Sequence, residues 1–469
     1  MAGGTVVIVG GGPGGSALGC YLSRAGINNL IFEKDIHPRP HVGESMVPAT
    51  TRVLKELGFL ETMEREGFTK KFGASWHPSG SQSNLYIEFK EFPQPDISQH
   101  YTYHVDRSRF DALLLKHAEK LGSKVYQGVR VRNVIFEDEQ AAGVEVELAG
   151  RKIEVPADIV IDASGRQTLL GTQLGLKRKD PNFNQFAVHG WFSGVERGER
   201  PEDIHIHFLP VKRGWVWQIP ISDGVTSIGV VAEREVFREA QGDYEGWFRR
   251  LIDSSPGTAL AMRNAERIDE LHVEGDYSYS MSSIVGGGWM LIGDAARFVD
   301  PIFSSGISVA LYSAKFASER IKQAIDSGDF GKAVLEPYEW RLRRGTSIWH
   351  EFILLYYKML PVFTHFVSKR GYRAQVHQLL QGEVYDRDEV PVLKEMREFI
   401  ERVQKTEGHL LSESIDRDLT IDALEYLNED AEPCGSEDLS RTSRTFQQKS
   451  SHDPAGGSAL ELKPPRSSR

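Results

Sequence analysis

Cysteine is almost absent: Cys20 and Cys434 are the two in 469 residues. Cys20 falls in an expected helix near the start and Cys434 in a polar tail, which excludes a disulfide framework or a cysteine metal site. Long apolar runs are missing too. No stretch approaches the roughly 18 uninterrupted apolar residues of a membrane-spanning helix, and the first residues lead straight into a glycine-rich turn without a charged leader. A surplus of basic charge is also lacking, with 56 Lys and Arg against 66 Asp and Glu and a formal net charge of -10. That balance argues against nucleic acid or an anionic membrane as partner, since phosphate binding needs a basic face. The expectation is a soluble, cytoplasmic protein, long enough for one large domain or two fused ones.

What is present is a strand–turn–helix–strand unit at the start. Thr5 to Val9 is a continuous β-branched run that suits a strand buried on both faces of a parallel sheet. Glycines follow, then helical character over Ser16 to Ala25 and a second strand from Asn29 to Phe32. Residues 72–104 and 185–233 read as antiparallel strands with turns. Val160 to Asp162 and Met290 to Ile292 read as short buried strands. Helices are expected over 307–326, 336–369, 390–406 and 419–427. From about 430 the chain turns polar and cannot offset its ordering entropy, so it reads as disordered. No internal repeat is visible.

Gly10-x-Gly12-x-x-Gly15, with Pro13 inside it, follows the first strand and opens the first helix. Glu33 ends the next strand. In that context the pattern reads as a dinucleotide cradle rather than a bare turn. Gly10 permits the turn, Gly12 lets backbone approach a pyrophosphate, and Gly15 lets helix pack on sheet. The helix N-terminus offers free N–H groups and a positive dipole end. Glu33 suits a ribose hydroxyl.

Three later segments favour FAD over NAD: Arg107 within Val105–Asp111, Asp162-Ala163-Ser164-Gly165 after a strand, and Leu291-Ile292-Gly293-Asp294-Ala295-Ala296 leading through Asp300-Pro301 into a helix. Together these resemble the flavoprotein monooxygenase superfamily over residues 5–380. The resemblance implies an α/β (α+β) fold of the para-hydroxybenzoate hydroxylase type. A FAD-binding core would span 1–330, with substrate-sheet insertions near 72–104 and 185–275, followed by a helical region over 331–429 and a tail over 430–469. It also implies cofactor contacts from Lys34, Arg39, Glu44, Ser45, Arg107, Asp294, Gly306 and Ile307.

Trp215-Val216-Trp217-Gln218-Ile219-Pro220 resembles the Trp-x-Trp-x-Ile-Pro signature of flavin-dependent halogenases. Two indoles two residues apart in a strand share a face, forming a wall beside the flavin. Lys71 aligns with the lysine that meets hypohalous acid in that family, while Lys70 would face the other way. Backbone N–H groups of Ser305 and Gly306 suit a halide. Phe303 stands where tryptophan-directed members carry a glutamate, so the chain resembles the phenol- and pyrrole-directed branch. Trp215, Trp217, Pro220 and Phe303 would line a substrate tunnel.

The resemblance implies reduced FAD from a separate NAD(P)H flavin reductase, O2, chloride or bromide, and an electron-rich aromatic substrate, free or on a carrier protein. No metal is expected. The alternatives are an aromatic hydroxylase, a prenyl-chain reductase and a non-catalytic scaffold; the tryptophan pair and Lys71 count against them.

Overall fold

The parallel sheet forms where the buried β-branched runs place it. In order, Trp289–Leu291, Ile159–Asp162, Thr5–Val9, Asn28–Glu33 and Lys124–Gln127 run parallel, and Val285–Gly286 pairs antiparallel on the outer edge. Val6, Val7 and Ile8 are completely buried, as a central strand covered on both faces requires. The structure, a computed structural model, describes residues 4–79, 84–92, 100–275, 278–387 and 389–420.

Helix Pro13–Arg24 follows the first strand directly, with Pro at its first position, where a missing N–H costs nothing. It packs between helices Arg107–Leu121 and Gly306–Ser327. The last matches the expected 307–326 helix. Arg107–Leu121 and a three-stranded antiparallel sheet over Arg130–Glu137, Gln140–Leu148 and Arg151–Pro156 lie outside the sequence reading.

The segments read as antiparallel strands join one large sheet. Its order is Glu266–Arg267, Gln185–Ser193, Thr226–Glu233, Trp215–Pro220, Ile204–Phe208, Gly73–His77 and Leu85–Glu88, and His272–Gly275 also pairs with Gln185–Ser193. Ile204–Phe208 meets Gly73–His77 in parallel, a crossover that sequence neighbours could not reveal. A separate short pair joins Lys70–Lys71 to Thr102–Tyr103.

The helix expected over 336–369 is two helices. Lys332–Lys358 ends before Leu360–Pro361, a single 3₁₀ turn follows, and Phe363–Ser368 resumes. Pro361 lacks an N–H and its ring blocks a continuing helix, so the aromatic pattern ran past a break that proline imposes. Pro391–Lys405 matches the expected 390–406. The expected 419–427 helix beyond Thr420, the tail over 430–469 and Cys434 lie outside the described residues. Among the described residues no helix is long and apolar enough to cross a membrane.

Candidate active site

A cavity of about 520 Å³ runs between the two sheets. One end is the glycine turn. Gly10 has φ +111°, and a Cβ there would sit 2.4 Å from the Ala163 carbonyl oxygen, so the turn needs glycine on both counts. Gly12 faces open space: the nearest atom to a Cβ is Arg39 Nη2, at 3.8 Å. Gly10, Gly12 and Pro13 line the cavity, together with Glu33, Lys34 and Arg39. Gly15 is the third residue of the helix, where a Cβ would come 2.0 Å from the Gly10 carbonyl oxygen.

Glu33 accepts hydrogen bonds from the Gly11 N–H at 2.7 Å and the Asp35 N–H at 2.9 Å. Burial alone would raise its pKa, but the nearby His37 ring, 3.9 Å away, and those two amides outweigh it and hold the carboxyl at about 2. The cradle thus combines an open backbone approach, a helix N-terminus and a fixed carboxylate, which suits a dinucleotide.

Further along, Arg107 lines the cavity but spends its bonds on the protein. It makes two to Asp111, at 2.8 and 2.9 Å, and others to the carbonyls of Val42 and Gly43. It therefore ties the Val42–Gly43 loop to the start of helix Arg107–Leu121. Asp294 follows Gly293 at the end of its strand and also lines the cavity; burial pushes its carboxyl up to about 6, while Arg107 and Arg166 pull it down. Ser305, Gly306 and Ile307 line the same space at the start of helix Gly306–Ser327. The first backbone bond from that turn is Val309 N–H to Ser305 O, 2.9 Å, which leaves earlier N–H groups outside the helical ladder. Asp300, also in the lining, is pushed up to about 7 by burial.

Trp215 and Trp217 line the cavity from the large sheet, ring centroids 6.0 Å apart. Opposite Trp217 stands Gly229; a Cβ there would fall 2.1 Å from the indole, so glycine makes room for the ring. Trp217 Nε1 donates to Ser227 Oγ at 3.1 Å. Pro220 is buried at the end of the same strand. Phe303 is buried against helix Lys332–Lys358, stacked on Phe352 at 4.7 Å and edge-on to Tyr356 at 4.9 Å. Pro220 and Phe303 are not among the residues lining this cavity.

Lys71 is also set back from it. The side chain is 3% exposed, and Nζ donates to Ser45 Oγ and to the Met46 carbonyl, both at 2.9 Å. Ser45 is itself a cavity residue, so one hydroxyl separates Lys71 from the open space. Burial lowers the Lys71 pKa to about 7, and Asp203 opposes it weakly. Lys70 faces the other way, paired with Glu64 at 3.0 Å and lying over the Tyr101 ring. Glu44, beside Ser45, accepts from Trp191 Nε1 at 2.6 Å and is pushed up to about 7 by burial. The sequence reading did not pick out Trp191, Asp203 or Ser227. Trp191 and Asp203 reach the site across more than 100 residues of chain and Ser227 from the neighbouring strand, through registers that composition does not reveal.

The comparisons agree with this geometry. The model of the FAD binding domain family matches residues 4–344. The chain is 44% identical to the 1H-pyrrole-2-carbonyl–peptidyl-carrier-protein chlorinase of Pseudomonas fluorescens, over 86% of this chain and 95% of that one. It is 33% identical to the corresponding brominase of Pseudoalteromonas luteoviolacea, over 81% and 92%. Among solved structures, the flavin-dependent brominase Bmp2 superposes with a TM-score of 0.78 at 30% identity, covering 86% of this chain and 99% of that one. With a FAD cradle at one end of its cavity, a tryptophan wall and a buried lysine at the other, the chain belongs to the flavin-dependent halogenases.

Proposed function

We propose that this enzyme chlorinates a pyrrole ring carried as a thioester on a peptidyl carrier protein. It works in the cytoplasm beside a separate NAD(P)H flavin reductase. The observation that carries the reading is Lys71, a buried amine able to be neutral near pH 7 and held through Ser45 against the cavity wall. The pyrrolyl carrier-protein substrates named for the two relatives support the substrate class, and the 44% identical one, a chlorinase, favours chloride.

Gly10, Gly12, Pro13, Glu33, Lys34 and Arg39 would hold the dinucleotide, with Glu44, Ser45, Arg107, Asp294 and Ile307 toward its ring. Bound there in its reduced form, FAD would supply two of the four electrons that take O2 to water and hypochlorous acid, and chloride would supply the other two. Amides at Ser305 and Gly306 would hold the halide. Asp294, Asp300 and Glu44 all have raised pKa values, so cavity carboxyls oppose an anion less than ionised ones would. Trp215 and Trp217 keep the organic ring away from the cofactor. Lys71 receives the hypochlorous acid, by hydrogen bond or as a chloramine with loss of water. Ring carbon then attacks chlorine, and the ring proton leaves.

Mass spectrometry of pyrrolyl carrier protein and a free phenol panel, each incubated with enzyme, FAD, flavin reductase, NADH and one halide, tests this. The expected product is chlorinated pyrrolyl carrier protein, formed only with the reductase. A product gaining oxygen in place of chlorine would reassign the enzyme as an aromatic hydroxylase. Chlorination of free phenols alone would remove the carrier protein.

A further inference from the structure

The large sheet has a second face, away from the cavity. Alternation turns Ile204, Trp215, Trp217 and Ile219 to the cavity and sends His205, His207 and Gln218 to the other side. The parallel neighbour adds His77, in register with His207. One ring nitrogen from each of the three histidines lies within 4.8 Å of the others. His77 Nε2 is 2.9 Å from His205 Nδ1, and the His77 ring stacks on His207 at 4.3 Å and on His205 at 5.1 Å.

Their outer bonds decide which nitrogens stay bare. His205 Nε2 is 2.9 Å from the Arg200 carbonyl oxygen, so it carries the proton and leaves Nδ1 a lone pair. His207 Nε2 faces Gln218 Oε1 at 3.3 Å. Gln218 Nε2 donates to the Glu196 carbonyl at 3.0 Å, which turns that oxygen toward the ring. His207 Nδ1 is then also a lone pair, and it is buried without a partner. His77 has a further side-chain bond with Asn84. Arg200, whose charge bears on His205, is paired with Glu88 and Asp203.

Imidazoles drawn into one small volume, with His205 and His207 each oriented by a bond at the opposite ring nitrogen, are how proteins prepare a site for metal. We propose that His77, His205 and His207 bind one divalent transition-metal ion, with zinc the best match to three imidazoles and an open position for water. It lies across the sheet from the cavity and clamps the parallel joint between Gly73–His77 and Ile204–Phe208. Zinc–nitrogen bonds of about 2.1 Å draw the donors together, so the His77–His207 stack opens on binding.

The test uses the full chain without an affinity tag, stripped with EDTA and desalted. Zinc binding is measured by equilibrium dialysis and elemental analysis, Co2+ binding by its visible d–d bands, and folding by circular dichroism. One equivalent of zinc, a raised Tm and four-coordinate cobalt bands are expected. His77→Asn, at the half-buried ligand, and His207→Phe, which keeps a stacking ring, should each weaken zinc at least tenfold while leaving FAD uptake unchanged. Gln218→Leu should weaken it less. No stoichiometric zinc, or zinc retained at full affinity by the His77→Asn/His207→Phe double variant, would overturn the proposal.

Discussion

The two ends of the cavity treat buried charge in opposite ways. At the glycine turn, burial is outweighed: His37 and two amide bonds keep Glu33 ionised at about 2. At the far end burial wins, and Glu44 and Lys71 both arrive at about 7. A fixed charge is useful for holding a ligand in one pose. A group poised near neutral pH is useful for exchanging protons or presenting a lone pair. The difference lies in partners. Glu33 has two backbone donors, whereas among the described residues the Lys71 ammonium has a hydroxyl and a carbonyl but no carboxylate in contact.

The largest test of that division is Lys71→Ala. Ring chlorination should fall by about 10³-fold or more, in the range expected when a positioned reacting group is lost. FAD binding should persist, and hypochlorous acid should still form and be caught by a small diffusible trap such as monochlorodimedone. Lys70→Ala, which removes an exposed pair with Glu64, should leave the rate within a few-fold. Near-normal chlorination by Lys71→Ala would make Lys71 a bystander and erase the contrast between the two ends.

At the other end, Gly10→Ala places a Cβ 2.4 Å from the Ala163 carbonyl oxygen at a φ of +111°. FAD affinity should drop about 100-fold, or about 2.7 kcal/mol, by fluorescence titration. Chlorination should recover when FAD is raised to saturation. An unrecovered rate would mean that the turn shapes the chemistry as well as the binding.

This cradle was legible from sequence because its demands are local. A turn, a close backbone approach and a helix start each constrain residues within a few positions. The tryptophan pair was legible for the same reason, since alternation in one strand fixes a shared face. The remainder of the far end was not. Lys71 could be aligned with a family lysine, but its bond to Ser45 spans 26 residues and that of Trp191 to Glu44 spans 147. The second face behaves likewise. His205 and His207 alternate in one strand but were not singled out, and His77 joins them only through a parallel register.

Ser45→Ala tests whether that unforeseen contact matters. It removes one of two acceptors on Lys71 and leaves the Met46 carbonyl. Chlorination should fall about tenfold, consistent with one lost hydrogen bond to a charged or reacting group. Trapped hypochlorous acid should rise to match. Ser45→Thr, which keeps the hydroxyl, should restore most of the rate. An equal fall in ring product and trapped acid would mean that Ser45 acts through the cofactor rather than through Lys71.

The smallest effect expected is on stability, and its sign separates the two buried groups. Between about pH 7 and 10.5 the unfolded chain holds a proton on Lys71 that the folded chain does not. Stability rises with pH wherever the unfolded state binds more protons, so Lys71 costs most below pH 7 and least near pH 10. Glu44 runs the other way: between about 4.5 and 7 the folded state keeps the proton, and stability falls as pH rises. Lys71→Met, close in length and uncharged, should therefore be more stable than the parent at pH 6, by about 1–2 kcal/mol after the loss of the Ser45 and Met46 bonds. That advantage should shrink steadily toward pH 10. Urea unfolding of both proteins at pH 6, 8 and 9.5 reads it directly as a difference, in which contributions from the other buried groups cancel. A difference constant across this range would mean that Lys71 stays charged in the folded protein, and the far end would then hold fixed charge just as the cradle does.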